Sequence, residues 1–260
     1  MFKEFSVVVP VHNEERFLFY SLPSIYRLEP DEVILLFDRC TDKSLNVAEK
    51  LAKRFEYAYR TRFIELNKPS PEWAFRVAFL RWHGFKEAKN DIILNTDADV
   101  ILDEKIKTYL PQVGKNNVAL ISFGRKSYPP APRLLIARLI TNFSLKAFAG
   151  TFAFSRRALF ETIDENTFRR IVSAEDTYIY LSISKKYKTM FIQTNTIHLR
   201  EKESAEKQFV RGIAYWEVGH NPLWKATLHS IVYFRPLLLA GYFHARLKDR
   251  ENTDFFLKRR

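Results

Sequence analysis

The chain is 260 residues long, ample for one large domain with a real core, and its 47% hydrophobic and 15% aromatic content excludes a disordered polymer. A formal net charge of +12 favours an anionic partner, and phosphorylated substrates, phospholipid headgroups and nucleic acid all qualify. Cys40 is the single cysteine, which excludes an intramolecular disulfide and a cysteine-based zinc cluster and suits a reducing cytosol; Glu4 interrupts the apolar N-terminus, which does not read as a secretory signal.

Phe5 to Val11 reads as a buried strand that closes in Pro10-Val11-His12-Asn13-Glu14-Glu15, with Asn13 placed to cap a helix whose first turn holds two acids. A second strand, Val33 to Phe37, runs into Asp38-Arg39-Cys40-Thr41-Asp42 and an amphipathic helix over 44–55. A third, at 62–66, is followed by a Pro-rich turn and a helix over 72–88. The fourth, Ile92 to Asn95, ends in Asp97 and Asp99 with Ala98 between them. This alternation predicts a mostly parallel sheet with helices on both faces, and every polar cluster so far falls at a strand's C-terminal end, where such sheets hold ligands. Alternate residues of an extended chain share a face, so Asp97 and Asp99 can both reach a hard cation that neutralises a diphosphate.

A composition shift at Ser127-Tyr128-Pro129-Pro130-Ala131-Pro132 divides a domain over 1–204 into halves, 1–126 and 127–204, and leaves 205–260 as a C-terminal helical segment. Apolar residues at helical spacing over 134–148 read as a core helix in preference to a surface meeting lipid or acceptor. A strand over 151–154 leads to Arg156-Arg157 at a helix start, and Glu175-Asp176 opens a further helix with Ser173 as its candidate cap. A strand over 190–197 precedes His198. The aromatic stretch 223–243 is interrupted by Lys225, His229, Arg235 and Pro236, so it is not a transmembrane span. Trp216, Trp224, Tyr233, Phe234, Tyr242 and Phe243 among basic residues suit a helix lying in anionic headgroups; a helix pair folded back over the catalytic domain fits equally well. Residues 249–260 read as a frayed polar tail.

Each motif alone has a plain reading. Asp38 can be a turn former, Glu14 and the Glu175-Asp176 pair first-turn acids, Arg81 an exposed helical arginine and His198 a satisfied structural histidine. As an ordered set over about 6–211, however, Val9-Pro10-Val11-His12-Asn13-Glu14-Glu15, Asp38-Arg39-Cys40-Thr41-Asp42, Arg81 with Gly84, Asp97-Ala98-Asp99, Glu175-Asp176 and His198 resemble the inverting nucleotide-sugar glycosyltransferases of family 2, with the GT-A fold. The resemblance implies an α/β, Rossmann-like, mostly parallel central sheet flanked by helices, a C-terminal helical appendage, and a glycosyltransferase of the hexosyltransferase type.

It also implies roles. The donor, a UDP- or GDP-linked sugar, would lie against Pro10, Val11, His12, Asn13, Glu14, Asp38, Arg81, Asp97, Ala98 and Asp99, with Asp38 accepting a ring N–H of uracil or guanine. Asp99 would coordinate Mn2+ or Mg2+ directly, joined by Asp97 and His198, and a histidine ligand tilts the choice toward Mn2+. Asp176 would be the base that deprotonates the acceptor, with Glu175 orienting it. The implied acceptor is a saccharide or a lipid-linked hydroxyl or phosphate; a cytoplasmic protein in peripheral contact with the membrane face is expected, and no nucleic-acid partner. Phe37 stands where the family has a second acid, and Lys68-Pro69-Ser70-Pro71 where it has a Gly-rich segment, which leaves donor identity open. Gln208-Phe209-Val210-Arg211-Gly212 is similar to the Gln-x-x-Arg element of processive members, but Gly212 replaces its Trp, so processive synthesis is not inferred. The competing readings are a nucleotidyltransferase, which lacks its Gly-rich phosphate loop here, and a basic nucleic-acid-binding protein, which has the charge without a reading motif.

Overall fold

The computed structural model describes residues 3–127, 150–199, 205–217, 221–232 and 235–251. Four strands, β1 (Phe5–Val11), β2 (Glu32–Phe37), β3 (Thr61–Glu65) and β4 (Ile92–Asn95), alternate with helices α1 (Glu15–Tyr26), α2 (Ser44–Arg54) and α3 (Arg76–Glu87). After β5 (Val100–Ile101) and the short α4 (Ile106–Tyr109) come β6 (Val118–Ser127) and β7 (Phe152–Ser155). Then follow α5 (Arg156–Thr162), α6 (Glu165–Arg169), α7 (Glu175–Ser184), β8 (Lys188–His198) and three C-terminal helices, α8 (Ala205–Glu217), α9 (Leu223–Val232) and α10 (Pro236–Glu251).

The eight strands form one sheet in the order β3-β2-β1-β4-β7-β6-β8-β5. The first four are mutually parallel and β6 pairs in parallel with β8, whereas β7 runs antiparallel to both β4 and β6, and β5 antiparallel to β8. Four of the seven pairings are parallel, as expected of a mostly parallel sheet, and those among β1 to β4 are all parallel. Alternation along the strands explains their unbroken apolar runs: Val7, Val9, Leu35 and Leu94 pack under α1 and α2, and Val8, Ile34, Leu36 and Ile93 pack on the opposite face under α3. A strand covered on both faces has no solvent side on which to place polar residues.

Several boundaries differ from the expected ones. α3 starts at Arg76 rather than at residue 72, because the Pro-rich turn runs on until the Trp73 N–H donates to the Ser70 carbonyl at 3.0 Å, with the Trp73 ring buried against Phe79 and Phe168. Of the expected tail, 249–251 belong to α10, and 252–260 lie outside the described residues, as do the helix expected over 134–148 and both Tyr233 and Phe234. Tyr242 is buried, not interfacial: its ring meets Trp216 edge-on and its hydroxyl donates to the Asn221 carbonyl at 3.0 Å. α8 and α10 touch backbone to backbone, since a Cβ on Gly212 would lie 2.0 Å from the Leu238 carbonyl oxygen and one on Gly241 1.9 Å from that of Phe209.

α3 sits equally close to the sheet. A Cβ added at Gly84 would come within 2.5 Å of Val8 Cγ1 and 2.7 Å of Leu36 Cδ1. Gly84→Ala therefore lifts the helix and destabilises the fold by about 1–3 kcal/mol. A urea midpoint equal to that of the parent protein would show that the interface absorbs the methyl group.

Candidate active site

The ends of β1 and β2 build one wall of the site. The Asp38 N–H donates to the Val11 carbonyl at 2.8 Å and the Leu66 N–H to the Phe37 carbonyl at 2.8 Å, so the ladder continues just past the strands. His12 Nδ1 lies 2.6 Å from the Asp38 carbonyl oxygen, which can only accept, so the proton is on Nδ1. Asn13, in the left-handed region at φ 54°, does not cap α1 as expected. Its side-chain oxygen instead accepts the Thr41 N–H at 2.8 Å and the Asp42 N–H at 3.3 Å. The donors at the start of α1 are met from across the gap: Glu14 N–H donates to Ser44 Oγ at 2.8 Å and Glu15 N–H to Asp42 Oδ2 at 3.1 Å. The two loops that follow β1 and β2 therefore hold each other.

Asp38 is buried at the floor of this wall and accepts from two guanidinium groups. Arg39 donates through Nε to Oδ1 at 2.9 Å and through Nη2 to Oδ2 at 3.1 Å, and Arg76 donates through Nε to Oδ1 at 2.9 Å. Burial works to raise the Asp38 carboxyl, but the bonds and charges of the two arginines outweigh it and hold the group below its ordinary value. Arg39 adopts a left-handed backbone at φ 46°, a conformation that disfavours a side chain. Arg76 is fixed by Ser70 Oγ, at 2.7 Å from Nη1, and by the Leu66 carbonyl, and its guanidinium stacks over Phe79. The sequence reading missed Arg76. No local pattern marks it; only the parallel register of β2 and β3 brings the first turn of α3 over Asp38.

The carboxylates after β4 face a second wall. The two-residue β5 pairs with the end of β8, Val100 opposite His198, and the Leu199 N–H donates to the Asp99 carbonyl at 2.9 Å. This register sets His198 Nε2 3.5 Å from Asp99 Oδ2. One ligand atom from each of Asp97, Asp99 and His198 lies within 4.8 Å of the others, a spacing and donor set that a divalent cation such as Mg2+ or Mn2+ fits. The Asp97 side chain is 31% exposed and that of His198 24%, so the cluster is open to solvent.

Arg81 joins this wall to the third. It is buried rather than exposed on α3, and it donates through Nη2 to Asp97 Oδ1 at 2.6 Å and through Nη1 to Glu175 Oε1. Burial pushes the Glu175 carboxyl up to about 7 against the pull of Arg81, with the neighbouring Asp176 charge adding to the rise. Arg81 itself is held firmly charged: burial opposes it, but Glu175, Asp97 and Asp176 together prevail. Asp176 is partly exposed, its Oδ1 accepting the Thr177 N–H at 2.7 Å. Ser173 does not cap α7; the capping position falls to Ala174, left-handed at φ 57°, with no side-chain bond to the helix. The backbone is thus held in a disfavoured conformation immediately before the acidic pair.

Three carboxylates, Asp97, Glu175 and Asp176, act on the one buried Arg81, and Asp99 lies beside Asp97, so negative charge is in excess there. The parallel strands β1, β2 and β4 deliver Pro10 to Glu14, Asp38 and Asp97 to Asp99 to one edge of the sheet, and the β5–β8 pairing and Arg81 bring His198 and Glu175 to Asp99 and Asp97.

Several solved structures share this fold. The mannosyltransferase PcManGT from Pyrobaculum calidifontis, in complex with GDP-Man and Mn2+, superposes with a TM-score of 0.65 at 18% identity, over 94% of this chain and 69% of that one. TarS from S. aureus gives 0.58 at 17% identity over 82% of this chain, which spans 40% of the TarS length. Glucosyl-3-phosphoglycerate synthase from Mycobacterium tuberculosis, in complex with Mn2+, UDP and phosphoglyceric acid, gives 0.54 at 18% identity over 85% of this chain and 80% of that one. No curated protein sequence matches the chain. The model of Glycosyl transferase family 2 matches residues 6–209, and the chain belongs to that family.

Proposed function

We propose that this glycosyltransferase moves a sugar from a nucleotide-diphosphate donor to an acceptor hydroxyl or phosphate, with inversion and with dependence on a divalent cation. The catalytic unit is 1–204, its halves 1–126 and 127–204 serving donor and acceptor, and 205–260 is an appendage. The observation that carries the reading is the convergence of Asp97, Asp99 and His198 beside the Arg81–Glu175 pair. Asp99, Asp97 and His198 would hold Mn2+ or Mg2+, which supplies charge neutralisation for the departing diphosphate. The chain's own groups do the rest. Pro10 to Glu14 line the nucleotide, and Asp38 accepts a ring N–H of the base. Because Asp176 Oδ1 is engaged by Thr177, Oδ2 is the atom that takes the acceptor proton as the new bond to the anomeric carbon forms and the bond to phosphate breaks. Arg81 positions Asp97 and the start of α7 together.

The arginine clamp on Asp38 supports uracil as the base. Of about four acceptor positions on a carboxylate, three take guanidinium N–H groups, which leaves one on Oδ2. Uracil offers one imide N–H between two carbonyls; guanine offers two adjacent donors. Calorimetric titration with Mn2+ present should find UDP at least about tenfold tighter than GDP, in proportion to one unsatisfied buried donor. Tighter GDP would overturn the uracil reading alone, and equal affinities with Mn2+ and with chelator would remove the metal role.

A lysine at position 81 keeps the charge but cannot fork between two carboxylates. Arg81→Lys should lower turnover by about ten- to a hundredfold, the range typical of residues that orient a metal site, while UDP affinity measured with chelator stays near normal. Unchanged turnover would show that the bridge has no part in positioning. The acceptor is carried on a saccharide or lipid, and the C-terminal helices meet a membrane peripherally on its cytoplasmic face.

A further inference from the structure

Among the described residues, seven of the thirteen large hydrophobic side chains left exposed lie on α9 and α10, so outward apolar surface is concentrated there. On α9, Trp224, Leu228 and Ile231 follow one another at helical spacing on one face, with Ile231 67% and Trp224 58% exposed, while Ala226 and Ser230 point inward. On α10, Leu237, Phe243 and Leu247 stay outside while Leu238, Tyr242 and Ala245 are buried. The inward faces are thus satisfied by helix packing, and the outward ones are apolar in excess of that need.

The charge bordering them is mostly positive, Asp249 and Glu251 standing only at the end of α10. From Val218 to Lys248 the sequence has no Asp or Glu, but carries Lys225, Arg235, Arg246 and Lys248. Lys225 lies against the Trp224 ring, its ammonium 5.6 Å from the centroid, and the exposed Lys248 follows Leu247 directly, so cations border both apolar stripes. Basic residues edging an aromatic and aliphatic face are complementary to a phospholipid surface with anionic headgroups, where acyl boundary meets the apolar side chains and phosphate meets the ammonium groups. No helix among the described residues is long and apolar enough to cross a membrane, so such a face lies on a bilayer rather than through it.

We propose that Trp224, Leu228 and Ile231 of α9, with Leu237, Phe243 and Leu247 of α10, form a docking surface for anionic phospholipid bilayers. This deepens the peripheral contact proposed above by naming its face and lipid chemistry, and it is independent of the transfer reaction.

The test is co-sedimentation of the full chain with vesicles of phosphatidylcholine, with and without phosphatidylglycerol. Binding should require phosphatidylglycerol and weaken as salt rises. Trp224→Ser combined with Ile231→Ser should lower the vesicle partition coefficient by at least about tenfold, and Lys248→Glu should lower it on anionic vesicles while leaving UDP affinity unchanged. UDP binding by each variant confirms that it is folded and separates this test from the glycosyltransferase chemistry. Partition equal to that of the parent, or no sedimentation with either vesicle, overturns the proposal. So does a dimer in analytical ultracentrifugation that the double variant dissociates, since the face would then belong to a second copy of the chain.

Discussion

Asp99→Ala should abolish the response of transfer to Mn2+ and reduce turnover by about a thousandfold, the loss of roughly 4 kcal/mol of charge stabilisation at the leaving diphosphate. Asp99 is the most buried of the three candidate ligands, and its carboxylate, not its backbone, faces His198. The alanine variant keeps the main-chain bond from Leu199 to the residue-99 carbonyl, so β5 and β8 stay paired and the effect is confined to the side chain. Calorimetry with Mn2+ alone should show the site weakened before any substrate is added. Full activity in the presence of chelator, from parent or variant, would exclude the cluster as a metal centre.

Asp176→Asn should reduce turnover by about 10²- to 10⁴-fold with nucleotide affinity nearly intact, because asparagine keeps the size and the bond from Thr177 but takes no proton. The variant also removes a first-turn charge from α7, but that structural effect is below about 1 kcal/mol and would appear as a small drop in melting temperature. Glu175 is a poor substitute base, since it is buried and its Oε1 is held by Arg81. A folded Asn variant with near-normal rate would rule out Asp176, and NMR of the product anomer would then decide whether the reaction inverts at all.

What was legible in the sequence was what is local. The apolar runs of β1, β2 and β4 mark strands because helices cover both their faces, and the polar clusters mark the site because parallel strands deliver their C-terminal ends to one edge. Asn13 and Ser173 look like caps by position, yet the N–H donors at the start of α1 find their acceptors on Asp42 and Ser44, and Ala174 takes the capping position of α7. Arg81 and Glu175 are 94 positions apart, and no periodicity within either helix could reveal that each is the other's counter-ion. The same holds for Arg76 over Asp38, and for Tyr242, whose aromatic ring reads as interfacial until α8 and α10 close around it. The antiparallel pairings of β7 and β5 were hidden because both strands are too short to carry a pattern of their own.

The brevity of β5 has a further meaning. It is two residues long and last in the sheet, yet its pairing with β8 is what brings the Asp99 carboxylate to His198. A ladder that small opens by local unfolding far more readily than β1 or β4, so its amides should be among the fastest of the sheet in hydrogen–deuterium exchange. A cation held by Asp99 and His198 across the ladder would bind only the closed form, and would therefore slow exchange at Leu199 in proportion to its saturation. Breathing of the sheet's last strand and affinity for the ion are then one equilibrium: a substitution that stiffens this edge tightens the metal without touching a ligand, and one that loosens it weakens the metal in the same way.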